Sequence, residues 1–148
     1  MQLKFRKASI EDAQLLFDWR NDPFTREMSG TNEEITLDEH ITWLKRKLDD
    51  PGVYLYILSD GINNIGQLRL EPIKKEFIIS YSIAKEFRSR GFGKIIIKMI
   101  IDEFPESVFI AFVKKENYQS SKILTSLGFE NYKSYDENTE LLKFYLKL

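Results

Sequence analysis

The sequence predicts an α/β fold, a mixed sheet with flanking helices in one domain spanning 1–148, and three observations carry that prediction. β-rich runs and helical periodicities follow one another in the order β-α-α-β-β-β-α-β-α-β-β. Two of the strand-like runs, 76–84 and 107–113, are apolar on both faces, as central strands covered from two sides must be. A length of 148 residues suits a single hydrophobic core.

Each element has a local reason. Residues 2–7 form a first strand. Ser9, three residues before Asp12, can cap a helix through AQLLFDWR, where Ala13, Leu16, Phe17 and Arg20 follow helical spacing; Pro23 ends or resets it. Thr36 and Glu39 make a capping-box pattern for a second helix reaching about Leu48, broken by Asp50-Pro51-Gly52. The runs 53–59 and 64–72 flank Asp60-Gly61, a hairpin signal, and Lys74-Lys75 marks the turn into the strand 76–84. Residues 91–103 read as a helix with Ile95, Ile96, Met99 and Ile100 inward, stopped by Pro105. After the strand 107–113, Asn117 can cap a helix to about Leu127, with Gly128 at its C-terminal turn. Strands near 129–135 and 140–147 flank the polar turn Asp136 to Thr139.

Composition removes several function classes. Twenty-two Lys and Arg against 23 Asp and Glu leave a net charge of −1, so a general nucleic-acid binder is not expected. With no cysteine there is no thiol nucleophile and no disulfide, and one histidine builds no multi-histidine metal site, so no metal is expected. The N-terminus lacks a signal-peptide core and no run approaches about 18 apolar residues, so neither a membrane span nor export is expected and the expected location is cytoplasmic. The chain is expected to act as a monomer or homodimer.

The sharpest local signal is EFRSRGFGK, 86–94. A central strand runs into a loop with Gly91 and Gly93, and the loop opens a helix. Helix N-termini present unpaired amides and a partial positive charge, and glycine lets a ligand come close to the backbone. Arg88, Arg90 and Lys94 add cations, so the stretch reads either as an anion cradle or as an ordinary turn with solvated basic residues. It is neither a Gly-x-x-x-x-Gly-Lys-Ser/Thr loop nor Gly-x-Gly-x-x-Gly.

Arg88-Ser89-Arg90-Gly91-Phe92-Gly93 resembles the Arg/Gln-x-x-Gly-x-Gly/Ala signature of the GCN5-related N-acetyltransferases (GNATs), and 111–130, with Asn117, Ser120, Gly128 and Phe129, is similar to that family's next motif. The resemblance implies the GNAT fold and acetyl-CoA as acetyl donor. It implies that Arg88, Ser89, Arg90, Gly91, Phe92, Gly93 and Lys94 grip the pyrophosphate, and that free backbone groups of Ser82 and Ile83 pair with the pantetheine arm. Asn117 and Ser120 would touch the cofactor, or Asn117 would serve as a cap only; Lys122 would reach a phosphate or lie on a solvated helix face.

The same resemblance implies transfer to a small-molecule primary amine. Many relatives use a tyrosine seven residues after the motif asparagine and a glutamate on the fourth strand; here those positions hold Leu124 and Ile78. His40 and Glu71 are the substitute base candidates, against a structural histidine and an exposed strand-end charge. Trp19-Arg20-Asn21, His40 and Trp43 are similar to a subgroup that acetylates nucleotide-linked amino sugars in pseudaminic acid synthesis. Trp19, Arg20, Asn21, His40, Trp43 and Tyr81 are therefore the candidate acceptor residues. Core packing of the tryptophans and Tyr81, and an ion pair from Arg20 to Asp18 or Asp22, are the competing readings. Peptide N-terminal acetylation and a non-catalytic CoA-binding sensor are the alternative functions.

Overall fold

The computed structural model describes residues 2–29, 33–132 and 141–148. In chain order its strands are β1 (Lys4–Lys7), β2 (Tyr54–Ser59), β3 (Asn64–Ile73), β4 (Glu76–Ile83), β5 (Val108–Lys114), β6 (Glu130–Asn131) and β7 (Leu141–Lys147). Its α-helices are α1 (Ala13–Asn21), α2 (Pro23–Met28), α3 (Leu37–Asp49), α4 (Phe92–Glu103) and α5 (Tyr118–Ser126). One mixed sheet runs β1-β2-β3-β4-β5-β7-β6, and only β4 and β5 lie parallel. The α/β class and the two central strands are as the sequence predicts.

One local alternative is resolved and one expectation is corrected. Pro23 resets the helix: α1 stops before it and α2 starts on it, because Asp22 caps the new helix, with Thr25 N–H donating to Asp22 Oδ2 at 3.0 Å, and proline is well placed in a first helical turn. In α4 the buried set is Phe92, Ile96, Ile97, Ile100 and Ile101, while Ile95 is exposed. Three consecutive isoleucines left the inward face open to either choice. The turn predicted at 136–139 lies outside the described residues. Elsewhere the capping chemistry holds: Glu39 N–H donates to Thr36 Oγ1 at 3.1 Å, and Asn117 Oδ1 accepts from Ser120 N–H at 3.2 Å.

The sheet separates two apolar layers. Strand residues alternate between faces, so Leu58, Leu68, Leu70, Ile79 and Phe109 meet α4 and α5, whereas Leu55 and Ile57 meet Leu16 of α1 and Leu44 of α3. Burying each such Leu or Ile is worth about 1.5–3 kcal/mol. This alternation fixes which polar strand residues face α1 and α3: on β3 these are Gln67, Arg69 and Glu71.

Candidate active site

The site on the α4 side is made largely of backbone. After β4 and a short 3₁₀ turn, Ser89 and Gly91 take φ of 63° and 84°. That left-handed geometry costs a residue with a Cβ about 1–2 kcal/mol. Gly91 is the N-cap of α4, and nothing lies within 4 Å of where its Cβ would stand, so the backbone there borders open space. The first amides of α4 have no helical partner and carry the positive end of the helix dipole. Gly93 has a different job: a Cβ would stand 3.0 Å from Ile123 Cδ1 and 3.5 Å from Tyr81 Cε2. Its bare backbone lets α4 close on α5 and on the Tyr81 ring.

The cations of the loop divide. Arg88 turns inward, donating from Nη2 to Asp22 Oδ2 at 2.7 Å and from Nε to the Ile83 carbonyl at 3.0 Å, with its guanidinium over Phe24. It therefore ties the end of β4 to the junction of α1 and α2. The Ile83 carbonyl, expected to be free for a ligand, accepts that bond, and Ser82 Oγ accepts from Gln67 Nε2 at 3.0 Å. Burial works to raise Asp22, but Arg88 and the Thr25 amide outweigh it and hold the carboxyl below its ordinary value. Arg90 leans on Phe87, and Lys94 and Lys122 are exposed.

Beside this loop the sheet opens. β4 and β5 pair only at Phe77↔Phe109 and Ile78↔Ile110, although β4 runs on to Ile83 and β5 to Lys114. Across the opening the Tyr81 hydroxyl meets Ser120 Oγ at 2.6 Å, and the Asn117 side chain holds the Ser120 amide. Burial pushes the Tyr81 phenol up, and the Ser120 hydrogen bond offsets this only in part. Leu124, one turn beyond Ser120 on α5, is fully buried in the core, and Ile78 is apolar on the strand.

The α1/α3 side is made of side chains. His40 is 3% exposed, stacks on Trp43 at 5.5 Å and meets Phe17 of α1 at 5.8 Å. The Arg69 guanidinium lies 5.0 Å from the Trp43 ring centre. Arg69 also pairs with Glu71 at 2.7 Å, and Lys47 reaches the same carboxylate oxygen at 3.1 Å. Burial, then the charge of Arg20, hold the His40 imidazole below its ordinary value. Burial likewise lowers Arg69, with Glu71 acting against the shift and Arg20 with it.

Of the acceptor residues predicted from sequence, Arg20, His40 and Trp43 therefore come together with Glu71. Tyr81 is on the opposite face of the sheet, with α4 and α5. Trp19 lines a separate cleft of about 760 Å³ with Asp22 and Arg88. Asn21 uses its amide on the backbone of Ile35, at 3.2 and 3.4 Å. Neither carboxylate proposed for Arg20 reaches it, since Asp18 accepts from Gln14 and Asp22 from Arg88. Arg69 was missed from sequence. Its signal was a cation in the middle of the alternating run GQLRLEP, where a solvent-facing residue on an interior strand is not expected.

Among the described residues no group of three or more His, Asp or Glu is placed to hold a metal ion. None of the described helices is long and apolar enough to cross a membrane.

Residues 2–130 match the family model described as acetyltransferase (GNAT) domain. No curated protein matches the sequence significantly. Among solved structures, the spermidine N-acetyltransferase of Vibrio cholerae in complex with CoA and spermine is similar at TM-score 0.85 and 17% identity, over 99% of this chain and 95% of that one. An acetyltransferase from Thermus thermophilus gives 0.84 and 19% over 100% and 98%, and a protein described as a phosphinothricin N-acetyltransferase gives 0.78 and 17% over 97% and 96%. With the family model spanning residues 2–130 of 148, the chain belongs to the GNAT acetyltransferase family and is an N-acetyltransferase.

Proposed function

We propose that the protein transfers acetyl from acetyl-CoA to the primary amine of a small acceptor, by direct attack with both substrates bound. The observation that carries this is the opening between β4 and β5, which leads to the Gly91 loop and the free amides of α4. A pyrophosphate with an extended arm fits those features: open backbone at Gly91, a helix N-terminus, exposed Lys94, and strand edges left unpaired beyond Ile78 and Ile110. Acetyl-CoA, when bound, supplies the acetyl group as a thioester.

The chain's own contribution is placement and proton handling. Positioning an amine against an acyl carbon supplies much of such a rate enhancement. Tyr81 is held protonated by its burial, and its hydroxyl reaches Ser120, one turn before Leu124 on the same face of α5. In this reading Tyr81 Oη, and not a side chain at 124, holds the proton for the departing sulfur. The Glu71 carboxylate is engaged by Arg69 and Lys47, which argues against its acting as base. His40 stays neutral and retains Nε2 for a proton or a ligand.

A nucleotide-linked amino sugar remains the acceptor favoured by the Trp19-Arg20-Asn21 and His40–Trp43 segments. The decisive experiment combines calorimetric titration with acetyl-CoA and a thiol-release assay over amino sugars, nucleotide amino sugars, polyamines and peptides. Saturable binding with turnover of a small amine is expected. Tight acetyl-CoA binding with no turnover of any amine would favour a non-catalytic sensor, and turnover of peptides alone would favour N-terminal acetylation.

A further inference from the structure

On the α1/α3 side, the cluster around Trp43 holds more positive charge than the one carboxylate in it answers. Arg69 and Lys47 share the single carboxylate of Glu71, and Arg20 is without a carboxylate partner among the described residues. Among the described residues, these three cations thus stand against one ion-paired carboxylate. Two buried polar atoms in the same cluster, Arg20 Nη1 and His40 Nε2, have no hydrogen-bond partner among the described residues. A buried donor left unmade costs about 1–3 kcal/mol, more when charged, so such atoms are rare unless something else meets them.

The geometry puts these groups in one place. Phe17 touches His40, and Arg20 is one helical turn further along α1. His40 and Arg69 both lie against Trp43. Arg69 stands directly across from Ser80, on the face turned to α1 and α3. Ser80 is the first β4 residue on that face beyond the last β4–β5 pair. The cluster is therefore one strand spacing, about 4.8 Å, from the start of the opening in which the reaction is placed.

We propose that Arg20, Arg69 and His40 form an anion subsite that receives an oxyanion, a carboxylate or phosphate, carried by the amine acceptor itself. This rests on the acetyltransfer reading above and narrows it to acceptors that bear both an amine and a nearby negative charge. Polyamines, which carry only positive charge, would be repelled by the same groups. A guanidinium offers planar paired donors that match carboxylate and phosphate; Arg20 Nη1 donates from α1, and His40 Nε2 donates from α3 once it carries the proton that a bound anion stabilises.

The test uses pairs of acceptors that differ only in the anion: glucosamine against glucosamine 6-phosphate, and L-methioninamide against L-methionine, with spermidine as the polycation. The full chain is assayed by thiol release with acetyl-CoA. Loss of one charge-assisted contact predicts a difference of about tenfold to a hundredfold in kcat/KM in favour of the anionic member. Arg20→Gln should erase that preference by bringing the anionic member's kcat/KM down to that of the neutral member. The phosphate and carboxylate pairs separate the two sources of the oxyanion.

Because His40 is the one histidine of the chain, its imidazole resonances give a second readout that needs no turnover. Titrating glucosamine 6-phosphate and, separately, L-methionine should shift the His40 signals saturably and raise its pKa, and Arg20→Gln should abolish both effects. Equal rates for both members of each pair, a preference for spermidine, or a His40 signal indifferent to both anions would overturn the subsite. No turnover together with an Arg20-dependent His40 shift would instead sustain the subsite and overturn the proposed acetyltransfer.

Discussion

In the proposed reading, the two sides of the sheet recognise their ligands with different materials. On the α4 side the working parts are backbone: a left-handed Gly91, the unpaired amides of α4 and the unpaired edges of β4 and β5. On the α1/α3 side they are side chains from three separate elements, Arg20, His40 and Arg69; Arg20 Nη1 and His40 Nε2 are buried with no hydrogen-bond partner among the described residues, and Arg69 Nε meets only Glu71. A backbone site can be encoded within a few consecutive residues and serve one invariant ligand. A side-chain site can be retuned one residue at a time, which suits an acceptor that differs from enzyme to enzyme.

The largest expected effect falls on the one side chain that serves the backbone half. Tyr81→Phe keeps the ring that packs on Gly93 but removes the hydroxyl that meets Ser120. We expect kcat to fall by at least about a hundredfold, the range of general acid catalysis, with acetyl-CoA affinity unchanged. An unaltered kcat would reduce Tyr81 to packing.

Gly91→Val tests whether that half is made of backbone at all. It forces a branched side chain into φ 84° and fills the open space beside α4. A loss of about 2 kcal/mol, near 30-fold in acetyl-CoA affinity, is expected by calorimetry. The double substitution Arg90→Ala, Lys94→Ala should cost less; if it costs more, side chains dominate there too and the contrast fails.

Asp22→Asn probes the strut between the two halves. Asparagine keeps the α2 cap while removing the charge opposite Arg88, so a loss of about 1 kcal/mol is expected. Asp22 is held below its ordinary 3.8, so its contribution is present above that pH and lost as pH falls through the lowered value. Thermal midpoints of the variant and the parent should therefore converge on acidification below 3.8.

The smallest effect sharpens the side-chain half. His40 is held below its ordinary 6.5, so the unfolded chain binds its proton first and the fold loses stability as pH falls below 6.5. The slope is at most about 1.4 kcal/mol per pH unit. Thermal melts between about pH 7 and 5 should show it in the parent and not in His40→Gln, and a saturating anionic acceptor should flatten it.

Much of the molecule was legible because its determinants are local. Thr36 with Glu39 and Asn117 with the Ser120 amide act within a single turn, so caps, helices and the motif loop could be read residue by residue. Where the determinant was a contact between distant residues, reading failed. Nothing in EFRSRGFGK shows that Arg88 reaches Asp22, 66 residues away, or that Tyr81 meets Ser120, 39 residues away. The run of isoleucines in α4 fits two inward faces, and packing chose the one that buries Ile97 and Ile101.

By itself, then, the sequence determined the α/β class, the order of its central strands, the glycine loop and the family it belongs to, all consequences of spacing along the chain. Only the tertiary structure decided that the loop arginine is a strut, that a β4 tyrosine stands near the place of a missing helical one, and that Arg69 joins Arg20 and His40. Charges separated by 20 to 49 residues acquire a shared meaning only when strand alternation and helix packing put them on one face, and that is a property of the fold.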